Sequence, residues 1–170
     1  LKEGEEVIVT EKIHGTNSRV GIVLHVSETA EGYATWQLMG GSHGTRRKEF
    51  NDKGVRSKYW FPFSINGDER PMEKLLNEVR IKEDAKMSVV VFGEIFGPGI
   101  QDMHYGQKGL AYRIFDIAVD GKYLNWDKTV GYVDLYNEFD IQTVPVLYRG
   151  PFSMQAMNEL VDGPTTVVDS

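Results

Sequence analysis

The chain has 170 residues and no cysteine, with 41% apolar, 11% aromatic and 26% charged residues and a net charge of −6. This is the length of about one domain and the mix of a globular protein; it excludes disulfides, thiolate metal sites and cysteine nucleophiles, and the acidic total argues against nonspecific coating of nucleic acid. No run of about 18 apolar residues offers a membrane span and no basic-then-apolar start offers a secretory leader, so no membrane partner and an intracellular, cytoplasmic location are expected.

Glu6 to Ile13 is rich in β-branched residues and reads as a strand. His14-Gly15-Thr16-Asn17 breaks it, and Arg19 to Val26 reads as a second strand, so the two are expected to pair as a hairpin. Tyr33 to Met39 reads as a third strand and Gly40 to Gly44 as a loop. A basic segment follows: residues 42–60 hold Arg46, Arg47, Lys48, Lys53, Arg56 and Lys58 against Glu49 and Asp52. That is six cations against two anions on an otherwise acidic chain. It is either a solvated loop or an arm that contacts phosphates. Trp60-Phe61-Pro62-Phe63 is an aromatic patch of undefined form.

Pro71 to Lys82 reads as a helix, with Pro71 at its first position and Met72, Leu75, Leu76 and Val79 forming one apolar face. Met87 to Phe96 is an apolar strand ended by Pro98-Gly99. Leu110 to Val119 is another, turning at Asp120-Gly121 into Lys122 to Asn125. Val130, Val133, Tyr136 and Phe139 suggest a helix, Thr143 to Tyr148 a short strand and Phe152 to Leu160 a final helix. The fold class is α+β, with antiparallel β-sheets and flanking helices. The chain opens at Leu1 and is already strand-like by Val7, as expected of a piece of something longer.

Three constellations carry chemistry. In Glu11-Lys12-Ile13-His14-Gly15-Thr16-Asn17, Lys12 sits near the end of an apolar strand, where burying its charge is expensive. A lysine held neutral by burial or nearby cations is a nucleophile, Gly15 lets a backbone approach a ligand, and Asn17 can donate to an oxygen. The plain alternative is an edge lysine beside a polar turn. In Val89-Val90-Val91-Phe92-Gly93-Glu94-Ile95-Phe96-Gly97, the carboxylate of Glu94 within an apolar strand either accepts from a ribose hydroxyl or metal-bound water, or points to solvent. In Tyr112-Arg113-Ile114-Phe115-Asp116-Ile117, alternation puts Tyr112, Ile114 and Asp116 on one face and Arg113, Phe115 and Ile117 on the other. Phe115 either stacks on a purine or fills the core.

Taken in this order, the motifs resemble those of the covalent nucleotidyltransferases, most closely RNA ligases of the RNA-ligase-2 type. Glu11-Lys12-Ile13-His14-Gly15-Thr16-Asn17 resembles the nucleophile motif, with His14 where many relatives have Asp. Phe92-Gly93-Glu94-Ile95-Phe96-Gly97 resembles the ribose-binding motif, and Tyr112-Arg113-Ile114-Phe115-Asp116 the adenine-stacking one. The resemblance implies the nucleotidyltransferase (ATP-grasp-like) domain of ligases, with ATP as AMP donor and Mg²⁺ or Mn²⁺. It implies a lysyl-AMP intermediate on Lys12, transfer of AMP to an RNA 5′-phosphate, and joining to a 3′-hydroxyl. By the same resemblance Glu11, Ile13 and neighbouring backbone hold the adenine, Asn17 contacts phosphate or its metal-bound water, Glu94 binds the ribose and Phe115 stacks on the base. No metal ligand is assigned. The family also has an arginine that contacts the nucleotide sugar; Arg46 is taken for it, with Arg47 equally eligible. Lys48, Lys53, Arg56 and Lys58 are expected to meet the RNA backbone.

The family's later motifs, an acidic one near Glu-Gly and a Lys-x-Lys strand, do not occur after Asp116. Residues 1–170 are therefore expected to be a partial nucleotidyltransferase domain. A DNA ligase or mRNA-capping guanylyltransferase is the alternative enzyme, against which His14 argues. A nucleotide- or RNA-binding fragment without a full catalytic cycle is the alternative of another class.

Overall fold

The spacing of Met72, Leu75, Leu76 and Val79 decides where the main core lies. In the structure, a computed structural model that describes residues 1–28, 32–103 and 105–167, helix α1 (Pro71–Lys82) has the bounds its periodicity predicts. Arg70 caps it in the left-handed region, at φ 48°, and Pro71 supplies the preset first turn. All four apolar side chains are at most 1% exposed. They pack on one face of a large sheet with Val20, Ile22, Val91, Ile114 and Ile117.

That sheet is built from β2 (Thr16–Val26), β3 (Ala34–Ser42), β4 (Thr45–Arg47), β5 (Ser88–Phe96), β6 (Ala111–Val119) and β7 (Lys122–Tyr123), in the order β4-β3-β2-β5-β6-β7. These pairs are antiparallel. A short strand β8 (Gln142–Thr143) adds to β6 in parallel, a departure from the purely antiparallel expectation. At the β6–β7 turn Asp120 (φ 49°) and Gly121 (φ 79°) both lie in the left-handed region, as a two-residue hairpin turn demands. The Asp120 carboxylate accepts from the N–H groups of Lys86, Met87 and Ser88, each at 2.8 Å, and so ties the turn to the start of β5.

A second, two-stranded sheet joins β1 (Glu6–Thr10) to β9 (Val146–Pro151). The hairpin expected between the first two strands is therefore incorrect. The edges of β2 are occupied by β3 and β5, and β1 runs from Glu6 opposite Pro151 to Thr10 opposite Val146. The single strand expected over Thr143 to Tyr148 is split between β8 and β9, because Pro145 interrupts it and the chain changes sheet.

The expected loop at Gly40 to Gly44 is also shorter. Gly40 and Gly41 belong to β3, where a Cβ on Gly40 would meet the Trp60 indole nitrogen at 2.8 Å. The aromatic patch is a 3₁₀ helix (Lys58–Ser64) whose Trp60 closes the core. The helix expected around Val130 to Phe139 is α2 (Trp126–Val133), capped by Asn125, followed by a 3₁₀ turn (Asp134–Phe139). Helix α3 (Met154–Val161) is capped by Ser153. Of the chain end read against the acidic motif, Val168, Asp169 and Ser170 lie outside the described residues.

A smaller apolar cluster of Ile13, Phe96, Ala111, Val144 and Val167 lies apart from the main core, with Phe115 and Trp126 packed against it. It joins the segment between β1 and β2 to the end of β5, the start of β6 and the segment between β8 and β9, and so underlies the site below.

β5 and β6 approach so closely that Gly93 is obligatory. A side chain there would collide with the Tyr112 ring and the Arg113 carbonyl, and the Tyr112 hydroxyl donates to the Ser18 carbonyl at 3.1 Å. Gly93→Ala is expected to cost about 1–3 kcal/mol through overpacking, read as a lower urea midpoint with an unchanged m-value.

Candidate active site

β1 stops at Thr10, and the Glu11 N–H leaves the strand to bond the Pro145 carbonyl at 2.9 Å. Lys12 is accordingly not in a strand: it is exposed in the connecting segment. The expected burial of this lysine in an apolar strand is overturned, and what it has instead is a fixed perch. Ile13, 4% exposed, plugs into the smaller cluster. The His14 N–H donates to the Tyr105 hydroxyl at 2.7 Å, and the Gln101 amide donates to the Gly15 carbonyl at 3.0 Å. Gly15 is needed because the segment presses on β5: a Cβ would strike the Ile95 carbonyl and meet Glu94 Cγ at 2.9 Å.

Opposite this perch, the pairing of β5 with β6 slips by one residue. Phe92 faces Asp116 while Gly93 faces Ile114, so Phe115 is the extra residue of a bulge. A bulge re-aims side chains. Phe115 and Asp116 consequently both point into one cavity, and Ile117 returns to the main core. The strict alternation expected of this strand is wrong at Asp116 and Ile117 for that reason.

The cavity holds about 490 Å³ and is lined by Glu11, Lys12, Ile13, Glu94, Phe115 and Asp116, with Trp126 and Val144 in its wall. Its size suits a small-molecule ligand. The structure thus brings five of the sequence-derived residues together, Glu11, Lys12, Ile13, Glu94 and Phe115. Asn17 is not in its wall, but pairs across the strands with Glu94 and has a buried side-chain oxygen with no partner.

Burial pushes the Glu94 carboxyl above its ordinary value, against a hydrogen bond from the Gly15 N–H and the charge of Lys12. Burial likewise raises Asp116. Glu11 behaves oppositely. Burial pushes it up, but hydrogen bonds from Thr165 and Thr166 outweigh that and hold it below the usual range. One oxygen accepts from the Thr165 hydroxyl at 2.5 Å, and the other from the Thr166 N–H and hydroxyl at 2.8 and 2.7 Å. The Glu11 carboxylate therefore clasps the far end of the chain.

Arg46 and Arg47 separate by face. Arg47 lies 5.8 Å from the Tyr59 ring centroid, while Arg46 lines a groove beside the cavity with Arg19 and Phe92. Lys48, Lys53, Arg56 and Lys58 are exposed. Arg56 is held by Glu49 at 2.8 Å and by Ser64, and Lys58 lies 5.5 Å from the Tyr59 centroid.

A sequence model of the RNA ligase family matches residues 5–168. The chain belongs to the RNA ligase family. No curated protein matches the chain in sequence. Among solved structures, an apo variant of the Naegleria gruberi RNA ligase superposes with a TM-score of 0.68 at 19% identity, covering 96% of this chain and 43% of that one. A second variant of that protein, solved with ATP and Mn, gives 0.67 at 18% identity with the same coverages. The form with PPi gives 0.67 at 19%, again with 96% and 43% covered. The chain has the fold of the Naegleria protein and spans less than half its length.

The residues that sequence reasoning missed are Asp116 as a cavity wall, Arg19 in the groove, and Thr165 and Thr166 as partners of Glu11. Asp116 was within a quoted motif, but only the bulge turns it toward the cavity. The signal for Arg19 was its alternation with Asn17 along one strand. Nothing in the sequence announces the threonines.

The raised Asp116 carboxyl makes a stability prediction. Its folded form holds its proton to higher pH than the unfolded form, so folding stability falls as pH rises from the unfolded to the folded value. Asp116→Asn is expected to raise the Tm of the ligand-free chain at pH 7, with the gain shrinking toward pH 3, in thermal melts across that range.

Proposed function

We propose that this chain carries the nucleotide-binding centre of an ATP-dependent RNA ligase and that Lys12 is its nucleophile. The observation that carries this reading is the convergence of Lys12, Glu94 and Phe115, from three separate segments, on one cavity. The ATP and Mn found with the Naegleria protein support ATP as the donor.

The Lys12 amine, having shed a proton to water, attacks the α-phosphorus of ATP. An N–P bond forms, the bond from that phosphorus to the bridging oxygen breaks, and pyrophosphate leaves with the electron pair. AMP then passes to the oxygen of an RNA 5′-phosphate and Lys12 regains its free amine. A 3′-hydroxyl attacks the activated phosphate, a phosphodiester forms and AMP departs. Phe115 offers a flat apolar face to the base. Glu94, desolvated and short of partners, accepts from ribose hydroxyls. Ile13 seats the base end of the cavity. Glu11 acts through its clasp, holding the segment that bears Lys12 where the α-phosphate arrives. Asn17 donates its side-chain amide N–H to a phosphate oxygen, and its unpartnered oxygen would accept from water on the phosphate's metal ion. Arg46 reaches the sugar from the adjoining face.

Among the described residues no three His, Asp or Glu side chains cluster as a metal site. These residues do not fit a resident metal cage, and Mg²⁺ or Mn²⁺ would come with the ATP phosphates, whose charge it would offset. Among the described residues no helix is long and apolar enough to cross a membrane. RNA ends are the partners in this reading, and Lys48, Lys53 and Lys58 present cations to the backbone.

Intact-mass spectrometry after incubation with ATP and Mg²⁺ tests the nucleophile. One AMP per chain, mapped to Lys12, is expected with ATP and not with GTP; an undiminished adduct in Lys12→Ala overturns the assignment. Reversing Lys48, Lys53 and Lys58 to Glu should lower RNA affinity and flatten its salt dependence by about 0.7 in slope for each phosphate left without its cation, measured by fluorescence anisotropy over a salt series.

A further inference from the structure

The face of the large sheet that carries Glu94 continues away from the nucleotide cavity, and one cross-strand row runs along it. Arg46 on β4 lies opposite Gly41 on β3, Gly41 opposite Arg19 on β2, Arg19 opposite Phe92 on β5, and Phe92 opposite Asp116 on β6. Residues in register share a face, so the two arginines flank Gly41, where the β4 backbone passes so closely that a Cβ would strike the Thr45 carbonyl. The result is a groove of about 350 Å³ that also presents Ser42 and Thr45 from the β3–β4 hairpin. The last member of the row, Asp116, already belongs to the wall of the nucleotide cavity. Groove and cavity are thus neighbours on one surface.

Arg19 is prepared for an anion that the protein does not provide. Its guanidinium lies 5.1 Å from the Phe92 ring centroid, and that ring is braced by Tyr123 at 5.4 Å. Stacking of this kind fixes the guanidinium plane and leaves its edge for a planar or tetrahedral oxyanion. Its Nε is shut off from water and has no hydrogen-bond partner, a costly state for a buried donor. Among the described residues no carboxylate forms an ion pair with it, so its charge is left to the Phe92 ring and to whatever enters the groove.

We infer that Arg19 and Arg46 form a phosphate-binding site beside the nucleotide cavity, with the Ser42 and Thr45 hydroxyls at its rim. The site takes a phosphate of the RNA strand being sealed or the outer phosphates of ATP; both present the same oxyanion chemistry. This rests on the RNA-ligase reading and adds to it a positioning element for the polyanion.

The test uses the Arg19 Nε–H resonance in ¹⁵N-labelled protein, titrated separately with a short 5′-phosphorylated RNA and with ATP plus Mg²⁺, alongside Arg19→Gln and Arg19→Lys. If RNA supplies the phosphate, the Nε–H shifts with RNA. Arg19→Gln then loses about tenfold in RNA affinity and about 0.7 of the salt slope, and Arg19→Lys recovers the slope but not the full affinity. If ATP supplies it, the resonance shifts with ATP and the KM for ATP in lysyl-AMP formation rises in Arg19→Gln. No shift with either ligand overturns the inference. So does an Arg19→Gln variant that loses thermal stability alone, which would leave Arg19 as a stacking partner of Phe92. A wild-type chain that gives no AMP adduct while its Arg19 resonance answers RNA overturns the catalytic reading and leaves the phosphate site standing.

Discussion

Two residues of β6 stand against one of β5 at Phe115, and the site is organised around that offset. In an unbroken antiparallel pair, Phe115 and Asp116 would face opposite sides of the sheet. One would enter the main core, where an aspartate is expensive to bury. The bulge sends both to the cavity side and restores Ile117 to the core. It also locates the narrowest approach of the two strands at Gly93, directly beside the slip, so that Glu94 emerges next to Phe115. An aromatic ring and a carboxylate are thus delivered to one cavity by neighbouring strands without any loop having to order itself.

Lys12 is held by different means. Its segment belongs to no strand and is fixed by Ile13 in the smaller cluster, by Tyr105 and Gln101 on the turn, and by Thr165 and Thr166 on Glu11. One half of the cavity is a sheet backed by α1, while the half that bears the amine is held by single contacts. That division would suit the proposed role of Lys12, which must first reach a nucleotide phosphate and then release AMP to another acceptor.

The sequence made α1 legible to the residue because one apolar face and one proline agree. β5, β6 and the Asp120-Gly121 turn were legible for similar local reasons. The cavity was legible only as a list of residue types: Lys12, Glu94 and Phe115 stood in recognisable motifs, but their convergence is a tertiary fact. The false hairpin shows the limit most clearly. Local patterning identifies β1 and β2 as strands and cannot say that β1 would wait for β9. The bulge is equally silent, since Tyr112 to Ile117 alternates as well as any regular strand. Burial of Lys12 was inferred from a strand that ends at Thr10, before it reaches the lysine.

The clasp on Glu11 joins residues 154 and 155 positions apart, and β1 pairs only with a strand near the other end of the chain. This gives the molecule a timetable. During synthesis Glu11 and Lys12 emerge before the strands that form the opposite wall of the cavity, and those before Thr166. At about 5–20 residues per second, roughly eight to thirty seconds separate Glu11 from Thr166. Until then β1 is without its β9 partner and Glu11 without its clasp. The Lys12 segment is therefore fixed later than the sheet it faces, so a nascent chain presents the sheet wall of the cavity before it presents a positioned Lys12 amine.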